Sequence, residues 1–169
     1  MSTTTKQFIF FATATLIVTV ASLVLAVGLY AVYLRLDYSF DIGPRFNRFD
    51  DELGWTLKPN AKSFINGSSP IRNIKYFESS VYTESNGFRS SEEQMPASAQ
   101  SIVAIGDSWT FGYCVNFEET YPFFLENSLG IPVSNLGVPA YGSGSTYGLF
   151  KRHVEKLQPK IVVYFSIGL

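Results

Sequence analysis

The amino-acid sequence predicts an α/β fold, in which a partial parallel sheet follows a long apolar helix and a small β-rich region. Three observations lead to this prediction. Residues 8–34 contain no charged side chain. Residues 37–100 alternate turn formers with short runs of β-branched and aromatic residues. Residues 102–165 alternate short apolar runs with helical patterns, which is typical of parallel strands joined by right-handed crossovers.

The apolar run at residues 8–34 predicts an anchor in a lipid bilayer. At about 1.5 Å per residue, a helix of this length measures roughly 40 Å, which exceeds the ~30 Å hydrocarbon core. A signal peptide is the alternative, since Lys6 precedes the run and Ala26-Val27-Gly28 resembles a cleavage site. The run continues apolar to Leu34, beyond the usual length of a signal-peptide core, and we therefore predict an uncleaved single-pass anchor within residues 1–36.

Basic residues that flank the anchor bear on its orientation. Lys6 precedes the run, whereas Arg35, Arg45 and Arg48 follow it. Basic flanks are retained on the cytoplasmic side, so this count alone favours a cytoplasmic C-terminal part.

Residues 37–100 are predicted to form a β-rich lead-in. Turns such as Gly43-Pro44 and Asn86-Gly87 separate β-type runs such as Trp55-Thr56-Leu57. A region with this many aromatic residues does not remain solvated as a disordered linker. The predicted organisation is an anchor at 1–36, a lead-in at 37–100 and an α/β part at 101–169.

The α/β part has five predicted elements in the order strand, helix, strand, helix, strand. Each strand is a short apolar run, and each helix has apolar residues at helical spacing or a Pro–Gly pair at its two ends. The elements span residues 102–105, 121–129, 131–136, 146–157 and 161–165, and we expect the strands at 102–105 and 161–165 to be buried.

Composition excludes several classes of function. A net charge of −1 over 169 residues provides no basic field for nucleic acid. The single cysteine, Cys114, forms no intrachain disulfide and no cysteine-based metal cluster. We predict neither a metal nor a cofactor.

Gly106-Asp107-Ser108 is the strongest candidate for chemistry. It follows the first predicted strand of the parallel sheet, and such sheets place reactive groups at the carboxyl ends of their strands. Gly106 permits a tight turn, and Ser108 is a candidate nucleophile beside backbone N–H groups that stabilise an oxyanion. The alternative is that Asp107 and Ser108 only cap a helix.

Three strand ends carry motifs that together resemble the SGNH/GDSL hydrolase family. Residues 105–112 (IGDSWTFG) resemble its first block, residues 135–142 (NLGVPAYG) its second, and residues 164–169 (YFSIGL) the start of its third. Two lead-in segments, residues 51–60 and 86–89, resemble the lead-in of membrane-anchored members. The resemblance implies a three-layer α/β/α, flavodoxin-like sheet and an extracytoplasmic domain, and on orientation we follow it.

The resemblance also implies roles for individual residues. Ser108 is the nucleophile and supplies an oxyanion N–H. Ala140 supplies a second N–H from a position where the family has glycine, which requires either a negative φ or a strained alanine. The residues that support the motifs are Gly106, Asp107, Asn135 and Gly168.

Two family groups have no counterpart in these 169 residues, namely the oxyanion Asn of the third block and the late catalytic His. The only histidine, His153, matches no family catalytic position and is predicted to be an ordinary helix residue. We therefore expect a truncated reading frame, a fragment or a domain completed elsewhere.

The function predicted from these motifs is ester hydrolysis or acyl transfer through a Ser108 acyl-enzyme, with an acyl ester or a carbohydrate as substrate. An inactive or accessory membrane-tethered module is the alternative. A dinucleotide loop at residues 142–148 is a weaker one, because Tyr147 stands where the third glycine belongs. No Gly-x-Ser-x-Gly elbow is present, which argues against an α/β-hydrolase.

Overall fold

The computed structural model describes residues 3–92 and 102–167 as a mixed α/β chain, which confirms the predicted class. The helices are α1 (Thr3–Asp37), α2 (Ser108–Phe111), α3 (Tyr121–Leu129) and α4 (Ser143–Leu157), with a 3-10 turn at Phe117–Glu119. The strands are β1 (Ser39–Ile42), β2 (Asn47–Asp50), β3 (Gly54–Leu57), β4 (Lys62–Ser69), β5 (Ile74–Thr83), β6 (Arg89–Ser90), β7 (Ile102–Gly106), β8 (Val133–Gly137) and β9 (Ile161–Phe165).

The chain divides into two compact units, and the first combines α1 with residues 68–74. The α1 helix extends the predicted apolar run at both ends, and its length and composition suffice to cross a membrane. A signal sequence meets the same two criteria. At the end of α1, the Asp37 carboxylate accepts hydrogen bonds from Ser69 Oγ and from Arg72 Nε, the latter at 2.7 Å.

The second unit, residues 40–67 and 75–167, contains most of a seven-stranded sheet with the order β1-β4-β5-β6-β8-β7-β9. Its parallel part is β8-β7-β9, as the strand–helix rhythm predicts. β6 joins β8 in an antiparallel pair, with Arg89 opposite Asn135, and β5 pairs antiparallel with β6. The lead-in strands therefore extend the same sheet rather than forming one of their own, except for the separate β2–β3 hairpin.

Both faces of β7, the middle strand of the parallel part, are covered. Side chains alternate along a strand, so residues 103 and 105 face one side and residues 102 and 104 the other. Val103 and Ile105 belong to the apolar cluster that contains Leu149 and Leu157 of α4. Ile102 and Ala104 belong to a second cluster, which packs against Tyr121 and Leu125 of α3.

The prediction that residues 161–165 form a buried strand is wrong in its burial. The strand forms, but Ile161 and Tyr164 are 50% and 51% exposed. The reason is its position, because β9 lies at the edge of the sheet and, within the described part of the chain, pairs only with β7. An apolar sequence run does not distinguish a central strand from an edge strand.

Candidate functional site

The Gly106-Asp107-Ser108 turn lies where β7 ends and α2 begins. A Cβ atom on Gly106 would lie 1.9 Å from the carbonyl oxygen of Phe165 and 2.2 Å from Thr110 Oγ1. Only glycine therefore allows β9 and the first turn of α2 to approach the end of β7 this closely.

Asp107 holds the turn together through both of its carboxylate oxygens. Oδ1 accepts a hydrogen bond from Trp109 N at 2.9 Å, so Asp107 is the N-cap of α2. Oδ2 accepts from Ser166 Oγ at 3.0 Å and from Ile167 N at 3.1 Å. The capping interpretation is thus confirmed for Asp107, which in addition ties the end of β9 to the turn.

Ser108 is free of the capping role and lies in a pocket. It is the first residue of α2, is partly buried, and lines a cavity of about 560 Å³ together with Asp107, Ala140 and Ser143. Within residues 3–92 and 102–167, its hydroxyl has no hydrogen-bond partner. A hydroxyl with this environment is available to a ligand.

Thr110 and Asn135 fix α2 against the parallel strands. Thr110 is fully buried, and its hydroxyl donates to Phe165 O at 3.0 Å and meets Tyr121 Oη at 3.2 Å. Asn135, 1% exposed, donates through Nδ2 to Thr110 O at 2.8 Å and accepts from Gly137 N at 2.9 Å. Asn135 therefore positions the backbone behind Ser108, and its amide is not free for a ligand.

Gly137 ends the second parallel strand directly behind α2. A Cβ atom here would lie 2.2 Å from Phe111 N and 2.6 Å from Thr110 C. Those neighbours are backbone atoms, which move aside only if α2 moves. The glycines at the ends of β7 and β8 thus both permit close packing around α2.

Ala140 has a positive φ of 63°. Of the two possibilities that the sequence left open, a negative φ or a strained alanine, the structure therefore shows the strained alanine. Residues 138–141 form a β-turn, which is closed by a hydrogen bond of 3.2 Å from Tyr141 N to Val138 O. Pro139 is the second residue of this turn and Ala140 is the third. Turns with positive φ at this position favour glycine, so alanine here is strained. Ala140 lines the Ser108 pocket, where its position makes its N–H a candidate donor.

Of the third motif, the structure places Ser166 and Ile167 at the pocket, through their hydrogen bonds to Asp107. Gly168, expected to support the motif, lies outside the described residues. The three strand ends that the sequence singled out therefore meet around Ser108, as far as they are described.

Sequence reasoning missed a contact between the β2–β3 hairpin and this pocket. Trp55 Nε1 donates to Pro139 O at 3.2 Å, and the Tyr141 hydroxyl donates to Trp55 O. The two rings meet edge to face with centroids 5.8 Å apart. Burial, aided by the Asp50 charge, raises the pKa of Tyr141 to about 12, so its hydroxyl stays protonated as a donor. Neither the Gly54-Trp55 sequence nor the sequence of residues 139–141 contains a local pattern that predicts this contact.

Arg89 lies behind the site and was also missed. Its side chain is 1% exposed, and its guanidinium lies 5.1 Å from the centre of the Phe111 ring. It donates to backbone carbonyls, including Ser80 O at 2.7 Å and Ser90 O at 3.2 Å. Burial lowers its pKa to about 10. Arg89 thus joins two lead-in strands to the helix that carries Ser108.

His153 lies on α4, partly buried, with its ring 4.8 Å from that of Phe88 in an edge-to-face contact. Burial lowers its pKa, and the charges of Arg152 and Lys156 add to the effect. It is not among the residues that line the Ser108 pocket. No histidine of the described chain therefore contacts this pocket.

Metal-binding groups are not assembled in the described residues, where no three His, Cys, Asp or Glu side chains come together. No protein-family model matches the chain, and no curated protein matches it significantly.

Proposed function

We propose that Ser108 is the nucleophile of an SGNH/GDSL-type serine esterase or O-acyltransferase that is tethered to a membrane by residues 8–34. The observation that carries this proposal is the convergence of three strand ends on one pocket. Gly106, Gly137 and Asp107 hold α2 so that the Ser108 hydroxyl enters a cavity without a protein partner in the described chain. In this interpretation, the N–H groups of Ser108 and Ala140 bind the oxyanion.

The proposed reaction forms a bond between Ser108 Oγ and the carbonyl carbon of an ester. The bond from that carbon to the alcohol oxygen breaks, the serine proton passes to a base, and the leaving alcohol takes up a proton. Water or an acceptor hydroxyl of a carbohydrate then releases the acyl group. Asp107 is not suited to be that base, because its carboxylate already accepts three hydrogen bonds.

The three-layer, flavodoxin-like arrangement belongs to the same proposal. In its support, α3 and α4 pack on opposite faces of β7 through the two apolar clusters. The proposed location of the α/β part is extracytoplasmic, with α1 as the anchor.

A tethered module without catalysis is the second candidate. It is favoured by one observation, that no histidine lines the pocket in the described chain. Assistance from a positioned base is worth roughly 10²–10⁴-fold in rate, so Ser108 alone is a weak nucleophile.

Labelling of the full chain in membranes with a fluorophosphonate probe separates the two candidates. The catalytic proposal expects a covalent adduct at Ser108, located by mass spectrometry, that is absent in Ser108→Ala. Ser143→Ala is the matched control, since Ser143 lines the same pocket outside the turn, and it should label normally. A folded protein that forms no adduct at Ser108, or equal labelling of Ser108→Ala, would support the non-catalytic module.

A further inference from the structure

A second cleft, on the β2–β3 hairpin, combines cationic and aromatic side chains. It encloses about 450 Å³, and we refer to it as the basic cleft. Its lining residues are Arg45, Asn47, Arg48, Phe49, Trp55 and Lys58. No acidic residue is among them.

The three cations of the basic cleft have no internal counter-charge. Lys58 Nζ donates to the carbonyl oxygen of Arg45 at 2.8 Å, which holds the ammonium group close to the Arg45 backbone. Of the carboxylates that the structure describes, none lies within ion-pair distance of Arg45, Arg48 or Lys58. Three cationic side chains that line one cleft without a paired carboxylate give it a positive potential, which attracts an anionic ligand.

The acidic groups of the same hairpin are engaged elsewhere. Arg152 on α4 binds Asp50 at 2.5 Å and Glu52 at 2.8 Å, at the turn end of the hairpin. This pairing keeps both carboxylates away from the cleft cations, and it fixes the hairpin to the α/β part.

Two aromatic rings of the cleft are presented to solvent on a fixed support. Phe49 and Trp55 are directly opposite each other in the β2–β3 ladder and are 79% and 37% exposed. Trp55 is held by its hydrogen bond to Pro139 and by its contact with Tyr141. Exposed aromatic faces at fixed positions are costly in water and suit a ligand with an apolar face, such as a sugar ring.

An intermediate cavity lies between the basic cleft and the Ser108 pocket and adjoins both of them. This cavity of about 520 Å³ shares Arg45, Asn47 and Trp55 with the basic cleft. The same cavity shares Ala140 with the pocket of Ser108. The cations therefore lie along a row of adjoining cavities whose other end is lined by Ser108.

We propose that the basic cleft binds an anionic oligosaccharide, whose acidic groups contact Arg45, Arg48 and Lys58 and whose sugar rings pack on Phe49 and Trp55. Guanidinium groups pair bidentately with carboxylates, and a series of three cavities suits a chain of sugars better than a flat lipid surface. The role of the oligosaccharide as acyl substrate or acceptor rests on the proposed function of Ser108. The binding of the oligosaccharide to the basic cleft is independent of that function.

Binding is measured with the full chain in phosphatidylcholine nanodiscs, which carry no net lipid charge. The probe is a fluorescent oligogalacturonate of about ten sugars, compared with a neutral malto-oligosaccharide of equal length. We expect the acidic probe to bind, the neutral one to bind at least about tenfold more weakly, and affinity to fall as salt rises. Arg45→Gln combined with Arg48→Gln should weaken binding by about tenfold or more.

The matched control is Lys151→Gln combined with Lys160→Gln, which removes the same charge at exposed positions outside the cleft and should leave affinity within about twofold. Phe49→Ser tests the aromatic contribution at an exposed position and should weaken the binding of both probes.

Ser108→Ala should bind the acidic probe normally, so failure of the catalytic proposal is distinguishable from failure of this one. Absence of oligogalacturonate binding, equal binding of the neutral probe, or a charged-probe affinity that the two arginine substitutions leave unchanged would overturn the proposal. Binding to phosphatidylglycerol vesicles without oligogalacturonate binding would overturn it in favour of a lipid headgroup.

Discussion

The strained turn at Ala140 provides a quantitative test of the pocket geometry. An L-residue in the left-handed region costs roughly 1–2 kcal/mol relative to its preferred conformation, and glycine does not incur that cost. Glycine in turn loses about 0.4–1 kcal/mol more conformational entropy on folding than alanine. The Ala140 side chain is exposed, so its removal forfeits little packing. The balance predicts that Ala140→Gly raises the free energy of unfolding by about 0.5–1 kcal/mol.

Urea unfolding of the full chain in detergent micelles, followed by tryptophan fluorescence, measures this change. Trp55 reports on the turn directly, because its indole donates to Pro139 O. For a chain of this size, the same change corresponds to a rise in melting temperature of roughly 1–4 °C. The dependence of unfolding free energy on urea concentration should stay unchanged, because the surface exposed on unfolding is the same.

Gly142→Ala is the matched control, since it makes the reverse substitution two residues away. Gly142 has φ −90° and open space where a Cβ would lie. The free energy of unfolding of the Gly142→Ala variant should therefore differ from that of the unmodified protein by no more than about 0.5 kcal/mol. If Ala140→Gly instead lowered the stability, or if both variants shifted it equally, the positive φ would not be the source of the strain and the reasoning would be refuted.

Two further predictions concern protonation and orientation. Burial lowers the pKa of His153, with Arg152 and Lys156 adding to the effect, so the unfolded chain binds a proton that the folded chain excludes. Stability should therefore fall as the pH is lowered from about 7.5 to about 5.5, through the ordinary histidine pKa of ~6.5, and His153→Gln should reduce that slope in urea titrations; an unchanged slope would contradict the prediction. Cys114 is exposed and is the only cysteine, so in spheroplasts that express the chain a membrane-impermeant maleimide should label it if the α/β part is extracytoplasmic. Labelling only after lysis would support the cytoplasmic orientation that the basic flanks favour, and Cys114→Ser is the control for specificity.

Local sequence patterns predicted the secondary structure of the α/β part closely. The helix at Tyr121–Leu129 has the predicted bounds, with Pro122 in its first turn and Gly130 past its end. The strands and the last helix differ from expectation by at most a few residues at their ends. These features follow from short-range periodicity and from the fixed backbone preferences of proline and glycine. The same patterns placed Gly106, Asp107 and Ser108 correctly at a strand end.

Contacts between distant segments were not accessible in this way. Trp55 and Pro139 are 84 residues apart along the chain, and neither has a local pattern that identifies its partner. The exposure of β9 and the extension of the sheet by β6 depend on which strands are neighbours, which periodicity does not encode. The basic cleft likewise depends on the pairing of β2 with β3, which brings Phe49 opposite Trp55.

The sequence by itself determined the apolar helix, the α/β class and the position of the serine turn, because each depends on residues within a few turns or strands of one another. Only the tertiary structure decided that Ala140 has a positive φ, that Asp107 joins the ends of β7 and β9, and that Arg89 packs behind Phe111. These outcomes arise from register and close packing between segments, where a difference of one residue or one methyl group changes which atoms meet.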